Sequence, residues 1–175
     1  LRTHRSLRLA PRLAFNTRAL IAGRLEVGVR QFKTDDASVP DYTGVVASTA
    51  LTYTLLKTTR FGITWDRDIS YSYQPESPYY VQNSVGGNIR RQIHGRFDGS
   101  VGASRSVSVY RSADPGRPGG RDVNVSYSAD LGYRMNRNLR AAFAVSTSRR
   151  TSDTSAFRAY RGTRAGLSVS YRLPD

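Results

Sequence analysis

From about residue 45 to the C-terminus, apolar side chains fall on odd-numbered positions and small or polar ones on even-numbered positions. Between Val123 and Met135 the odd residues are Val123, Val125, Tyr127, Ala129, Leu131, Tyr133 and Met135. The even ones are Asn124, Ser126, Ser128, Asp130, Gly132 and Arg134. A period of two describes a β-strand with one apolar and one polar face. No window places apolar residues at i, i+3, i+4 and i+7, so the chain carries no amphipathic-helix signal.

The alternation predicts nine strands, at 7–15, 21–32, 45–56, 61–73, 79–93, 97–110, 123–135, 139–150 and 157–173. Short connections run from Asn16 to Leu20, Lys57 to Arg60, His94 to Arg96 and Asn136 to Asn138. They alternate with looser ones, Lys33 to Gly44, Gln74 to Pro78, Arg111 to Asp122 and Thr151 to Ala156, which carry Pro, Gly, Asp and Ser. Such a meander needs only local antiparallel pairing. Strands of ordinary globular domains run to about 5–6 residues, whereas a tilted strand crosses the hydrocarbon core in about 9–11. The expected fold class is therefore all-β: an antiparallel up-and-down meander of about nine long strands forming part or all of a transmembrane β-barrel.

Tyr71, Tyr73, Tyr79 and Tyr80 at one rim, with Phe61 and Phe97 near the other, suggest interfacial girdles. Bacterial single-chain barrels have even strand numbers, and an open edge is not viable in lipid. Residues 1–175 are accordingly read as one barrel domain, the C-terminal segment of a larger barrel. Pro11 places part of the first strand at a rim, edge or bulge.

The formal net charge is +14, and only Lys33 and Lys57 of the 27 basic residues are lysines. A basic excess often marks nucleic-acid binding through flexible tails. Here the arginines lie within strands, many on the polar face, which argues for a charged interior or rim; nucleic acid is not an expected partner. The competing reading is a soluble all-β module that holds polyanions, with affinity falling steeply in salt. Against it, the apolar stripe on nearly every strand exceeds what one sandwich core needs.

Cysteine is absent, which excludes disulfides and thiolate metal sites. No run of about 18 apolar residues exists to form a transmembrane helix. Leu1 to Phe15 is Arg-rich and lacks the apolar segment of a signal peptide, as expected of a processed chain or a piece of a longer one. His4 and His94, the only histidines, have no metal-ligand spacing. The Gly-rich stretch 116–120 continues as Arg-Asp, without the Lys-Ser/Thr of a phosphate loop. Neither enzymatic activity nor a metal or cofactor is expected.

Several stretches carry a family resemblance: Asp66-Arg-Asp-Ile-Ser-Tyr-Ser-Tyr73, Pro78-Tyr-Tyr-Val81, Gly95-Arg-Phe-Asp-Gly-Ser-Val-Gly-Ala-Ser-Arg105, Ser148-Arg-Arg-Thr-Ser-Asp153 and Tyr160-Arg-Gly162. In order and spacing they resemble the C-terminal half of the putative β-barrel porin family of bacterial outer membranes, over residues 45–173. The resemblance implies a barrel in the outer membrane of a Gram-negative cell envelope, acting in transport as a porin-like channel or passive exporter. It implies no particular solute, because the family is defined by architecture. A non-pore scaffold or adhesin barrel is the alternative.

The last strand also resembles the signal read by outer-membrane insertion machinery, through Arg164, Gly166, Val169, Tyr171 and Leu173. It departs from that pattern by closing on Leu173-Pro174-Asp175 instead of a terminal Phe. Outer-membrane lipid and barrel-assembly machinery are thus the implied partners. Short turns of such barrels face the periplasm, which would put the C-terminus there.

Candidate pore-lining residues are Asp66, Asp68, Arg90, Asp98, Asp130, Arg134, Arg140, Arg158, Arg164 and Arg172, all on even positions. Opposite charges on neighbouring strands would pair. Surplus guanidinium charge would favour anions, as small solutes or polysaccharide. Arg67, Arg91, Arg105, Arg149 and Arg161 instead occupy the apolar parity. An arginine facing lipid costs about 2–4 kcal/mol at the midplane and little at the interface. Arg91, Arg149 and Arg161 lie near strand ends and can snorkel. Arg67 and Arg105 require their strands to leave the membrane early.

Overall fold

The computed structural model describes residues 4–15, 20–34, 41–74, 77–112, 119–153 and 158–171. They form a single antiparallel sheet of ten strands: β1 (His4–Leu9), β2 (Arg12–Phe15), β3 (Ile21–Thr34), β4 (Tyr42–Leu55), β5 (Thr59–Gln74), β6 (Ser77–His94), β7 (Phe97–Arg111), β8 (Arg121–Arg134), β9 (Leu139–Ser152) and β10 (Tyr160–Tyr171). From β3 to β10 each strand pairs with the next in sequence, and β1 and β2 both pair with β3. The architecture is the expected up-and-down meander. Among the described residues the outer edges of β1, β2 and β10 pair with nothing.

The tenth strand arises from Pro11. Leu9 faces Val29 and Arg12 faces Glu26 in an unbroken register, so β1 and β2 are one strand interrupted at Ala10 and Pro11. Proline has no N–H for the ladder. Gly28 lies opposite, and a side chain there would run into the Leu9 carbonyl and Ala10. The nine expected strands are thus nine paths across the sheet. The connection from Gln74 to Pro78, expected to be loose, is a correction: β5 and β6 run on to Gln74 and Ser77, which pair with each other. The Ser70–Tyr71–Ser72 alternation keeps the pleat going, and Pro78 is tolerated near a strand start.

Register carries the sequence pattern across the whole sheet. Leu25 faces Thr49, Thr49 faces Trp65, Trp65 faces Val85, Val85 faces Arg105, Arg105 faces Val125, Val125 faces Arg149 and Arg149 faces Arg161. Odd residues meet odd residues on every ladder, except for slips at the strand ends near Gln74 and His94. One odd-numbered face and one even-numbered face therefore extend over all the strands.

The odd face leaves large apolar groups in the open. Ile63, Val101, Leu131 and Phe143 are each more than half exposed, and Leu167 is 85 % exposed. Among the described residues buried apolar side chains are few, Val46, Ala47, Val81, Tyr110 and Ala142 besides a small cluster of Ile69 and Tyr79 against Tyr42. A soluble sandwich would hide such a surface against a second sheet. Here no second sheet covers the apolar surface among the described residues, and it stays exposed as the lipid-facing side of a membrane barrel does.

The short hairpin turns set the level of that surface. They centre on Lys57, Gly95 and Arg137, and along the shared register each lies two residues further than the one before. This stagger of one residue per strand is that of tilted barrel strands. Leu56 and Lys57 make the first of these turns with left-handed φ values of 50° and 59°. Arg67 and Arg105 each stand ten residues from the centre of their turn, so they lie at one level. Ten tilted residues rise about 26 Å at ~3.4 Å each, against an apolar band ~25 Å tall. With such a band starting at the turns, both arginines would stand at its far edge without an early exit of the strands. Trp65 shares this zone, its Nε1 donating to Asn83 Oδ1 at 2.8 Å.

Near the short turns, Tyr53 stacks on Phe61 with centroids 6.2 Å apart, and Phe97 packs on Tyr133 at 4.9 Å. These pairs form the girdle at that interface. The opposite girdle differs from expectation. Tyr71 and Tyr79 lie beyond the band, Tyr80 is on the even face against Tyr110 at 5.0 Å, and the Tyr73 side chain is outside the described set.

Candidate functional site

The even face gathers the charged side chains into three networks. The first lies near the short turns. Arg140 on β9 reaches over β8 to Asp98 on β7, donating from Nε to both carboxylate oxygens at 3.0 Å and from Nη2 to Oδ1 at 2.5 Å. The same Nη2 donates to Asp130 at 2.7 Å, and Ser100 Oγ donates to Asp130 as well. Arg134 adds its charge 3.5 Å from Asp98. What lets the guanidinium cross β8 is Gly132, where any Cβ would occupy the space of the Arg140 head group. Asp98 is only 4 % exposed, and a carboxylate so buried requires this kind of partner.

A second network joins the first strands. Arg8 spans Glu26 at 2.6 Å and Asp68 at 3.0 Å, Arg12 donates twice to Glu26 at 2.8 and 3.0 Å, and Arg30 meets Asp68 at 2.9 Å. The third lies at the opposite end from the short turns. Arg150 donates to buried Asp122 and, at 3.3 Å, to the Tyr110 hydroxyl. Arg158 lies 3.3 Å from Asp122, its guanidinium 4.3 Å above the Tyr110 ring.

Between the charged ends runs a belt of short side chains. In register across β4 to β10 it reads Ala50, Thr64, Gly86, Ser104, Ser126, Ser148 and Gly162. The adjacent row reads Thr52, Gly62, Asn88, Gly102, Ser128, Ser146 and Arg164. A shallow cavity of about 220 Å³ opens over part of it. Larger cavities lie at either end, about 780 Å³ beside Arg60, Arg90, Arg134 and Arg140 and about 390 Å³ beside Tyr110, Asp122, Arg150 and Arg158.

Of the residues singled out from the sequence, the structure brings Asp98, Asp130, Arg134 and Arg140 into one network and puts Asp68 and Arg158 in the other two. Asp66 accepts a hydrogen bond from Ser48 Oγ at 2.7 Å. Arg90 faces Arg60. Arg164 is exposed on the edge strand β10, together with Gly166, Val169 and Tyr171 of the assembly pattern. Arg172 and Leu173 lie outside the described residues.

Sequence reading passed over Glu26, Asp122, Arg8, Arg12, Arg30, Arg60, Arg150 and Tyr110. All are even-numbered; Arg60, Tyr110, Asp122 and Arg150 fall where the alternation is evident, whereas Arg8, Arg12, Glu26 and Arg30 precede it. Among the described residues no three His, Cys, Asp or Glu side chains cluster as metal ligands would.

No curated protein and no solved structure matches the chain. The family described as Putative beta-barrel porin 2 matches residues 9–173, from the first strand to just beyond the last. With an all-strand meander and an exposed, largely apolar odd face opposite an even face that carries the ion-pair networks, the chain belongs to that β-barrel porin family.

Proposed function

We propose that the chain forms the wall of a passive channel in the outer membrane of a Gram-negative bacterium, its even face lining an aqueous path for small anions. The observation carrying this reading is the parity held across every ladder, which gives one continuous apolar face and one continuous Arg-rich face. Guanidinium charge in excess of carboxylate along a water-filled wall favours anions. Outer-membrane lipid would cover the odd face. The long connections would then face outward and the short turns, with the end of β10, the periplasm. The exposed, unpaired edge of β10 with Gly166, Val169 and Tyr171 suits a strand presented to barrel-assembly machinery. Neither catalysis nor a cofactor enters the proposal.

The full chain purified in detergent and added to a planar bilayer under a potassium chloride gradient is expected to give stepwise currents with a reversal potential on the chloride side. A reversal potential on the potassium side would remove the anion assignment. A protein that inserts, shows heat-modifiable migration on a denaturing gel and carries no current would favour a scaffold or adhesin barrel. The three ion-pair networks fit that second reading too, since they brace the wall without any transport.

A further inference from the structure

The cavity near the short turns has an imbalance that the rest of the even face lacks. Lys57, Arg60, Arg90, Arg134, Arg137 and Arg140 line about 780 Å³, with Asp98 as the single carboxylate. That carboxylate is taken up by three hydrogen bonds from Arg140. Arg60 and Arg90 are directly opposite each other across the β5–β6 ladder and form no ion pair among the described residues. Like charges in opposed positions destabilise a sheet, so the two arginines repel across this ladder, and among the described residues only Arg90 has carboxylates within longer electrostatic range, Asp98 and Asp130. Guanidinium forks are suited to carboxylate, phosphate or sulfate through paired N–H donors. The space in front of them exceeds what one such group needs.

We propose that Arg60 and Arg90 form a binding site for a solute carrying two or more oxyanions, at the short-turn mouth of the barrel. One oxyanion sits between the two forks, and the others meet Arg134 and the flexible Lys57 and Arg137 of the turns. Binding relieves the repulsion between Arg60 and Arg90 and holds such solutes at the entrance before they reach the belt of short side chains. The site deepens the channel reading and rests on it for its role, but its affinity can be measured without any current.

The test is equilibrium titration of the full chain in a zwitterionic detergent with tripolyphosphate and, separately, with citrate, alongside the bilayer measurement. Both probes are expected to bind, and Arg60→Gln/Arg90→Gln to bind them about tenfold more weakly or worse. Arg60→Lys/Arg90→Lys keeps the charge without the fork and is expected to fall in between. Heat-modifiable migration reports folding of each variant, and the glutamine pair is expected to fold because it breaks no ion-pair contact and removes a repulsion.

Binding of citrate alone would assign the site to carboxylates, and of tripolyphosphate alone to phosphates. Unchanged affinity in the folded glutamine variant, or no binding of either probe by the parent, overturns the site. A chain that conducts but does not bind loses the site and keeps the channel; one that binds but does not conduct keeps the site and loses the channel.

Discussion

Two neighbouring sectors at the short-turn end use arginine in opposite ways. In β7 to β9, Arg140 threads over Gly132 to Asp98 and Asp130, and both carboxylates are held by it. In β5 and β6, Arg60 and Arg90 confront each other, and among the described residues neither has a carboxylate in ion-pair contact. Composition cannot distinguish the two, since both are arginines at even positions near a turn. The difference is what lies across the ladder. A glycine and two aspartates make one sector a brace, while a second arginine leaves the other a charged surface with spare hydrogen-bonding capacity.

The contrast predicts effects of different size and sign. Arg140→Gln leaves Asp98 buried with only the distant Arg134, and is expected to cost about 3 kcal/mol, read as a lower urea midpoint for unfolding in detergent. Gly132→Ala pushes a methyl group into the Arg140 head group and is expected to cost about 1–3 kcal/mol. In the Arg140→Gln background most of that penalty should disappear, because the two changes share one contact. Equal penalties in both backgrounds would show that the crossing over β8 does not depend on this glycine. Removing charge from the other sector reverses the sign: Arg60→Gln is expected to raise the urea midpoint by an amount equivalent to about 0.2–1 kcal/mol. A loss of stability there would mean that the pair braces the wall after all.

Arg105 extends the comparison to the odd face. Placed at the edge of the apolar band, Arg105→Leu should change stability by less than about 1 kcal/mol, while an arginine introduced deeper, Val101→Arg, should cost more. Similar effects at the two positions would misplace the band.

Much of the fold was legible because the alternation is carried by individual residues. The run from Val123 to Met135 reads directly as β8, and the same parity separates the two faces of all ten strands. The register puts the even-numbered aspartates and arginines of the described strands on one face. Their partners were not legible. Arg140 and Asp98 are 42 residues apart, and their meeting depends on register and on a glycine in a third strand. Arg67 and Arg105 looked like an obstacle for the same reason. Their common level follows from the stagger of the short turns, which counting along a single strand does not reveal. The break at Pro11 was visible as a proline, but not as one strand continuing in register on both sides.

The row from Ala50 to Gly162, all Ala, Gly, Ser and Thr, has a consequence for what a passage along this wall could discriminate. With side chains this short, the aperture at mid-height is set by the backbone, and so by the number of strands in the closed ring. Size exclusion and charge preference then reside at different depths, one at the waist and the other at the mouths, and each can be altered alone. Bulky replacements at Ser104 or Ser126 would narrow the sieve for neutral sugars or glycols while leaving the arginines at both ends as they are.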